Sequence, residues 1–389
     1  MSVTYAETAP RRRSKSIPVW DAFVRLFHWS LVLSIATALL TGLWLGASWF
    51  TLHLIGGTLA VALVTGRIFW GFWGSSFARF AAFVVGPRRL VEHLRELAEG
   101  RAGRHIGHNP PGGWMILALL GTILVIGASG VVALGGTLKT GPLAVAVDYA
   151  TGALAQDLHG ALAWGLVGLI VLHVAGAVFE SLRTGENLPR AMITGTKELR
   201  DEAAELPPHP ARTRPALVAG LTAGAVVLGA ASTLAVRQLP VPGAPMPPAR
   251  FDRLYADECS ACHIAYHPSL LPPESWGRLM ATLDDHFGED ASLDAASTRA
   301  IAEWLTAAAA RPADTKPARE FARVNPAAPF TITKTPFWQE THAAISEATF
   351  SRKPIYGKFN CGACHRDAES GWFYPGNIDI PDTPKENSR

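Results

Sequence analysis

The chain is 389 residues long, with 49% apolar and 17% charged residues, a formal net charge of +3 and four cysteines. The charged share lies well below the roughly 25% of ordinary soluble proteins, the mean hydropathy is +0.17, and the apolar residues fall in long uncharged runs, so a wholly soluble protein is excluded. The small net charge argues against a nucleic-acid partner. Four cysteines are too few for a disulfide scaffold, and Gly and Pro without a period, beside 12 Trp, exclude collagen-like and disordered chains.

In chain order, the runs Leu26–Phe50, Leu52–Trp73, Trp114–Leu134, Leu158–Phe179 and Ala216–Val236 read as membrane spans. A hydrocarbon core of about 30 Å takes roughly 20 apolar residues in a helix. The second run holds Arg67 but must cross, because the few residues after Phe50 cannot return across the bilayer otherwise. Helix is the required conformation, since lipid offers no partner to an open backbone.

The N-terminal arm and the loops near 74–113 and 180–215 carry five, six and six Lys/Arg, whereas the two intervening loops carry only Lys139. That bias places the N-terminus in the cytoplasm and, after an odd number of spans, everything beyond Val236 outside. The basic stretch Arg11–Arg13 with Lys15 has the look of a signal n-region. The run behind it is too long for a cleaved h-region and holds ionisable residues.

Histidines inside spans are costly and mark function. His28 lies near the cytoplasmic start of the first span, His53 near the outer start of the second, and His159 and His173 share the fourth. The latter two are 14 residues apart, nearly four turns, and so project from almost one face about 21 Å apart along the axis. His159 is then level with His53 and His173 with His28. Two facing pairs of neutral imidazoles in a four-helix bundle suit the axial positions of two low-spin haems. Gly42, Gly56 and Gly57 allow a macrocycle or a neighbouring helix to come close.

The stretches IPVWDAFVRLFHWSLVLSIATALLTG, LHLIGG and DLHGALAWGLVGLIVLHVAG resemble the bacterial cytochrome b561 family, which includes the b-type subunit of nickel–iron hydrogenases. The likeness covers about residues 17–185. It implies a bacterial inner-membrane protein whose b haems are held by histidines matching His28, His53, His159 and His173. The fifth span lies outside this core and reads as a tether. Arg25 and Arg67 read as snorkelling to the cytoplasmic interface, with a haem-propionate contact as the alternative. His93, His105, His108 and His209 lie in polar loops and read as solvated.

Beyond Val236, QLPVPGAPMPPAR is a Pro-rich spacer, and the composition then turns soluble. All four cysteines fall in two C-x-x-C-H motifs, Cys259-Ser-Ala-Cys262-His263 and Cys361-Gly-Ala-Cys364-His365. This is the c-type haem attachment signature: two thiols form thioethers and the adjacent histidine coordinates iron. Zinc ribbons set their pairs far closer together, and no βαβ pattern of a redox dithiol surrounds either copy. Candidates for the opposite haem face are His267, His286, His342, Met246 and Met280. His267 is too near His263 to reach round, and the Pro-rich stretch Arg311–Pro336 leaves one further histidine per lobe, so His286 is assigned to the first c haem and His342 to the second, with exchange between the lobes as the alternative; Met280 is the runner-up for the first. The stretches ECSACHIAYHPSLLPPESWGRLMATLDDHFGEDASLD and FNCGACHRDAESGWF resemble the bacterial dihaem cytochrome c family over about residues 250–382, which implies bis-histidine ligation and membrane b cytochromes as partners.

No Walker loop, dinucleotide fingerprint, nucleophile elbow or HExxH motif is present. The expected fold is an all-α membrane protein: residues 1–185 a di-haem b bundle, 186–237 a cytoplasmic loop and fifth helix, 238–250 the linker, and 251–389 a mainly helical periplasmic dihaem domain. The expected function is electron transfer from membrane quinol through two b and two c haems to a soluble periplasmic cytochrome or other haem protein, a quinol:cytochrome-type oxidoreductase if an enzyme. The alternatives are a membrane anchor that accepts electrons from a separate dehydrogenase or hydrogenase, and a superoxide- or gas-reactive haem protein.

Overall fold

The computed structural model describes residues 15–199, 212–309 and 313–381. Five of its helices are long and apolar enough to cross a membrane. In chain order the elements are β1 (Lys15–Pro18), α1 (Ala22–Leu43), α2 (Phe50–Trp73), α3 (Pro87–Ala98), α4 (Pro110–Thr137), α5 (Tyr149–Thr184), α6 (Leu188–Thr194), β2 (Thr196–Leu199) and α7 (Pro215–Val236). The C-terminal region adds α8 (Arg253–Cys259), α9 (Pro273–Met280), α10 (Ala295–Ala309), α11 (Lys316–Phe321), α12 (Pro336–His342) and α13 (Glu347–Ser351). Large apolar side chains on the long helices, such as Leu33 and Leu172, face outward, which suits a lipid solvent.

The first span ends seven residues earlier than its hydropathy suggests, and Phe50 belongs to α2. Trp44 N and Leu45 N both fold back on the Leu40 carbonyl, and Gly46 then turns the chain at φ 56. A left-handed residue ends a helix whatever the polarity of its neighbours, and glycine takes that conformation without a Cβ penalty.

The described chain packs as two units, whose borders cut across the long helices. One contains residues up to Ala38, Ile55–Gly127 and Gly160–Leu228; we call it the hairpin unit. Here β1 and β2 pair antiparallel, Ser16 opposite Glu198 and Ile17 opposite Lys197. Ile17, Val19, Trp20, Val24, Trp70, Ala78, Ala191 and Val218 form its core, and a second cluster of Ala60, Val64, Leu120, Ile123 and Leu166 binds α2, α4 and α5. Asp21 opens α1 by accepting from Val24 N at 2.8 Å and also accepts from Trp70 Nε1 at 2.9 Å. Val218 of α7 is buried in this core, so the fifth span packs on the bundle as well as leading out of it.

The other contains Leu39–Leu54, Ala128–His159 and the chain from Gly229; it is the cysteine unit. Asp252 caps α8 through Leu254 N and Tyr255 N, and Thr335 caps α12 through Trp338 N. One core gathers Tyr255, Trp276, Met280, Ile301 and Leu305; another gathers Leu270, Phe321, Trp338, Phe350 and Ile355. Ile301 and Leu305, one turn apart on α10, are 0% and 1% exposed, each stabilising the fold by roughly 1.5–3 kcal/mol. Tyr266 and Ile332 pack against both clusters, so the two lobes are continuous despite the proline-rich stretch between them.

Candidate functional site

Histidines in this chain face each other in pairs. His53 of α2 and His159 of α5 have ring centroids 6.0 Å apart. In the C-terminal region His263 and His286 are 6.1 Å apart, and so are His342 and His365. With a metal–nitrogen bond of about 2 Å, two imidazoles trans across one metal put their centroids about 6 Å apart. In the hairpin unit His28 Nδ1 is buried with no hydrogen-bond partner.

The surroundings of each ring bear on which nitrogen is free. His263 Nδ1 is 2.7 Å from the Ile264 carbonyl and His342 Nδ1 is 2.9 Å from the Trp338 carbonyl. A carbonyl only accepts, so in both rings Nδ1 carries the proton and Nε2 keeps its lone pair, the arrangement typical of metal-binding histidine. His342 also stacks on Trp338 at 4.4 Å. In the helices, Thr41 Oγ1 is 3.4 Å from His53 Nδ1 and Ser129 Oγ is 3.3 Å from His159 Nδ1. Burial pushes His286, His342 and His365 below the ordinary imidazole value, and for His286 and His365 the facing histidine adds to the effect. The neutral ring, which binds metal, is thereby favoured.

Two glycines make room for the helical pair. A Cβ on Gly42 would stand 2.9 Å from His53 Cε1, and one on Gly130 would stand 3.1 Å from His159 Cε1. Gly56 instead faces the α1 backbone, with its Cβ position 3.1 Å from the Ser34 carbonyl, and Gly57 faces open space.

Cys259 closes α8, and Cys361–Ala363 form a 3-10 turn. Burial pushes the thiols of Cys259 and Cys361 up to about 11. A reactive dithiol needs the opposite shift, toward thiolate at neutral pH. His267 is occupied elsewhere: Nε2 lies 2.8 Å from the Met246 carbonyl, and Nδ1 2.7 Å from Ser269 Oγ. Met280 is 4% exposed within a hydrophobic cluster.

Two sequence expectations need correction. Arg67 does not snorkel: it is 3% exposed, Nη2 donates to the Ala78 carbonyl at 3.0 Å, and the guanidinium stands over the Phe80 ring. Nor are the loop histidines solvated. His93 is 1% exposed and pairs with His105 at 5.1 Å, while His108 packs between Trp20 at 4.5 Å and Phe83 at 4.9 Å. Burial, with Arg67 and Lys197 nearby, pushes His108 down to about 3. The loop is polar in composition but folds over the helix ends, where tertiary packing closes it. Arg25 donates Nη1 to the Ile193 carbonyl at 2.8 Å, and His209 lies outside the described residues.

Against family models, residues 19–195 match prokaryotic cytochrome b561 and residues 255–373 match dihaem cytochrome c. The chain joins these two families. Among curated proteins it is similar to a probable Ni/Fe-hydrogenase B-type cytochrome subunit of Rhodobacter capsulatus, 23% identical over 229 residues, which are 50% of this chain and 86% of the relative. The Azotobacter vinelandii protein of the same description is 26% identical over 225 residues, 49% of this chain and 92% of the relative. Among solved structures, a diheme cytochrome c from Rhodobacter sphaeroides is 42% identical with a TM-score of 0.27, covering 31% of this chain and 96% of that one. A dihaem cytochrome c from Shewanella baltica OS155 is 31% identical with a TM-score of 0.27, covering 35% and 95%.

This b561–dihaem protein is an integral membrane electron-transfer protein with b haems and two c haems. Its residues fit those groups: facing imidazoles at the required spacing, glycines that clear the His53 and His159 rings, and a buried unpartnered nitrogen on His28. Sequence reasoning did not find Thr41, Ser129 or the Trp338 carbonyl. No local pattern marks them, because each meets its histidine through the fold.

Proposed function

We propose that the protein carries electrons from membrane quinol to a soluble periplasmic cytochrome or haem protein through two b and two c haems. In this reading His28 with His173 and His53 with His159 ligate the b haems. His263 with His286 and His342 with His365 ligate the c haems, which are attached through Cys259 and Cys262 and through Cys361 and Cys364. Residues 1–185 form the di-haem bundle, 186–237 the cytoplasmic loop and last span, 238–250 the linker, and 251–389 the periplasmic domain. The Lys/Arg asymmetry of the loops supports the orientation, as does the need to attach c haem outside the cytoplasm.

The observation that carries the reading is the recurrence of one spacing, 6.0 to 6.1 Å between ring centroids, in three histidine pairs. Bound haem supplies one-electron chemistry between ferrous and ferric iron. The chain's own part is to hold each ring and its tautomer and to leave no open coordination position. Carbonyls on Nδ1 of His263 and His342 raise the basicity of the ring, and burial of the ligands contributes to the potential. Quinol added to purified protein is expected to bring up both the b and c α-bands; quinol that reduces neither overturns the reading.

The second reading, a membrane anchor taking electrons from a separate dehydrogenase, is favoured by the description of the curated relatives as hydrogenase cytochrome subunits. A stoichiometric dehydrogenase subunit co-purifying from native membranes supports it over direct quinol oxidation.

A further inference from the structure

Within the cysteine unit, a file of aromatic rings runs from the helical histidine pair to one of the two attachment motifs. Phe50 lies one turn before His53 on α2, and the two rings are nearly parallel, 6.5 Å between centroids and 15° between planes. Phe50 meets Tyr374 edge to face at 5.7 Å. The neighbouring Phe373 lies 5.1 Å from His365, which faces His342 at 6.1 Å. A Cβ on Gly376 would stand 3.6 Å from Thr51 Oγ1. The first motif lies beyond this contact. The Tyr266 ring is 4.9 Å from His263, and its hydroxyl donates to the Phe359 carbonyl and reaches Cys361.

The backbone at this contact is held in an unusual conformation. Phe373 has φ 49, and elsewhere in the same unit Lys139 has φ 51. A bulky side chain in the left-handed region is an outlier that persists only where surrounding contacts fix it, and such residues gather at functional places. Lys139, the single basic residue of the short loops, is one half of a separate ion pair within the same unit: Nζ donates to Asp314 Oδ2 at 2.7 Å. Tyr149 adds its amide to Asp314 at 2.8 Å and its hydroxyl to Glu320 at 2.6 Å.

We infer that Phe50, Tyr374 and Phe373 form the junction between the His53/His159 pair and the dihaem domain, so that the haem sites of the cysteine unit stand in the order His53/His159, His342/His365, His263/His286. The second attachment motif in the sequence is then the first to receive an electron from the His53/His159 site, and the first motif is the terminal site that meets the soluble partner. Haem held by His53 and His159 would give up one electron, going from ferrous to ferric, and haem held by His342 and His365 would take up the same electron, going from ferric to ferrous, with no proton transferred. Tunnelling falls steeply with the gap between donor and acceptor, and a file of ring contacts keeps that gap short. The assignment rests on the four-haem reading above.

The test uses full-length, haem-loaded protein in detergent. There the native cysteines are thioethers, so T51C and G376C together supply its free thiols. A short bismaleimide is expected to join them, while T51C paired with D284C in the first lobe stays unjoined. Separately, F50L and Y374L are each expected to slow reoxidation of the b band by the c haems several-fold in stopped-flow traces, with the b and c haem contents unchanged. Failure to join T51C to G376C, joining to D284C instead, or an unchanged transfer rate in both leucine variants overturns the order. Pyridine haemochrome analysis of the same samples separates the two failures. Missing b haem sinks the four-haem reading itself, whereas equal b and c contents with no cross-link sink only the order.

Discussion

The ammonium of Lys139 is 2.7 Å from Asp314 Oδ2, and the two side chains are 2% and 17% exposed. Asp314 also takes Arg319 on Oδ1, at 3.0 Å from Nη2 and 3.2 Å from Nε. Breaking a buried pair by removing one partner costs about 3–5 kcal/mol, far more than a surface pair is worth. K139M is expected to lower the thermal midpoint and to speed amide exchange around residues 140–148 and 314–320. K139M/D314L is expected to be less damaged than K139M alone, because Asp314 Oδ2 is no longer left without its buried ammonium partner. Equal exchange in wild type and K139M would remove the clamp from the account.

Acid loosens the surroundings of Asp314 and of His108 in different ranges. Asp314 is held below the ordinary carboxylate value of 3.8: burial pushes it up, but the bonds from Lys139, the Tyr149 amide and Arg319 outweigh that. A depressed carboxyl contributes stability that is complete above the unfolded value and is lost as pH falls below it. Exchange near residue 314 is therefore expected to stay slow until pH drops below about 4.

His108 titrates the other way in origin yet with the same sign. Its folded value is about 3 against 6.5 unfolded, so between these values the unfolded chain binds the extra proton, and stability falls with pH. The slope is at most about 1.4 kcal/mol per pH unit. Amide exchange in the loop 99–109 is expected to quicken already between pH 6.5 and 4, and H108F to flatten that dependence. A loop whose exchange ignores pH in that interval would show that His108 is not held neutral.

Adding a methyl group at Gly42 tests the helical site nearest the junction. The new Cβ would sit 2.9 Å from His53 Cε1, too close for the ring to stay in place. G42A is expected to lose the b haem proposed to be held by His53 and His159 while both c haems remain, halving the b-to-c ratio in pyridine haemochromes. An unchanged ratio would show that the ring has room to spare.

Carbon monoxide reads open coordination positions. The proposed eight histidine ligands predict a very small difference spectrum for reduced wild type. H342G is expected to create one reactive c haem and a matching rise in amplitude, with Cys361 and Cys364 still holding the porphyrin. A large wild-type signal would instead favour gas-reactive chemistry.

Much of this molecule is written locally. Twenty apolar residues in a row dictate a spanning helix because hydrocarbon leaves the backbone no other partner, and Cys-x-x-Cys-His brings two thiols and an imidazole together within a single turn of chain. The helical histidines were legible for the same reason: 14 residues on one helix fix the relative facing of His159 and His173. What sequence could not supply are meetings between segments far apart along the chain. His108 lies among charged neighbours and looks solvated until Trp20 and Phe83 close on it. Nothing next to Lys139 announces Asp314, and nothing next to Phe50 announces Tyr374. Periodicity and motif spacing are encoded within a few turns, whereas burial, ion-pair partners and the neighbour of each haem site depend on how those turns pack.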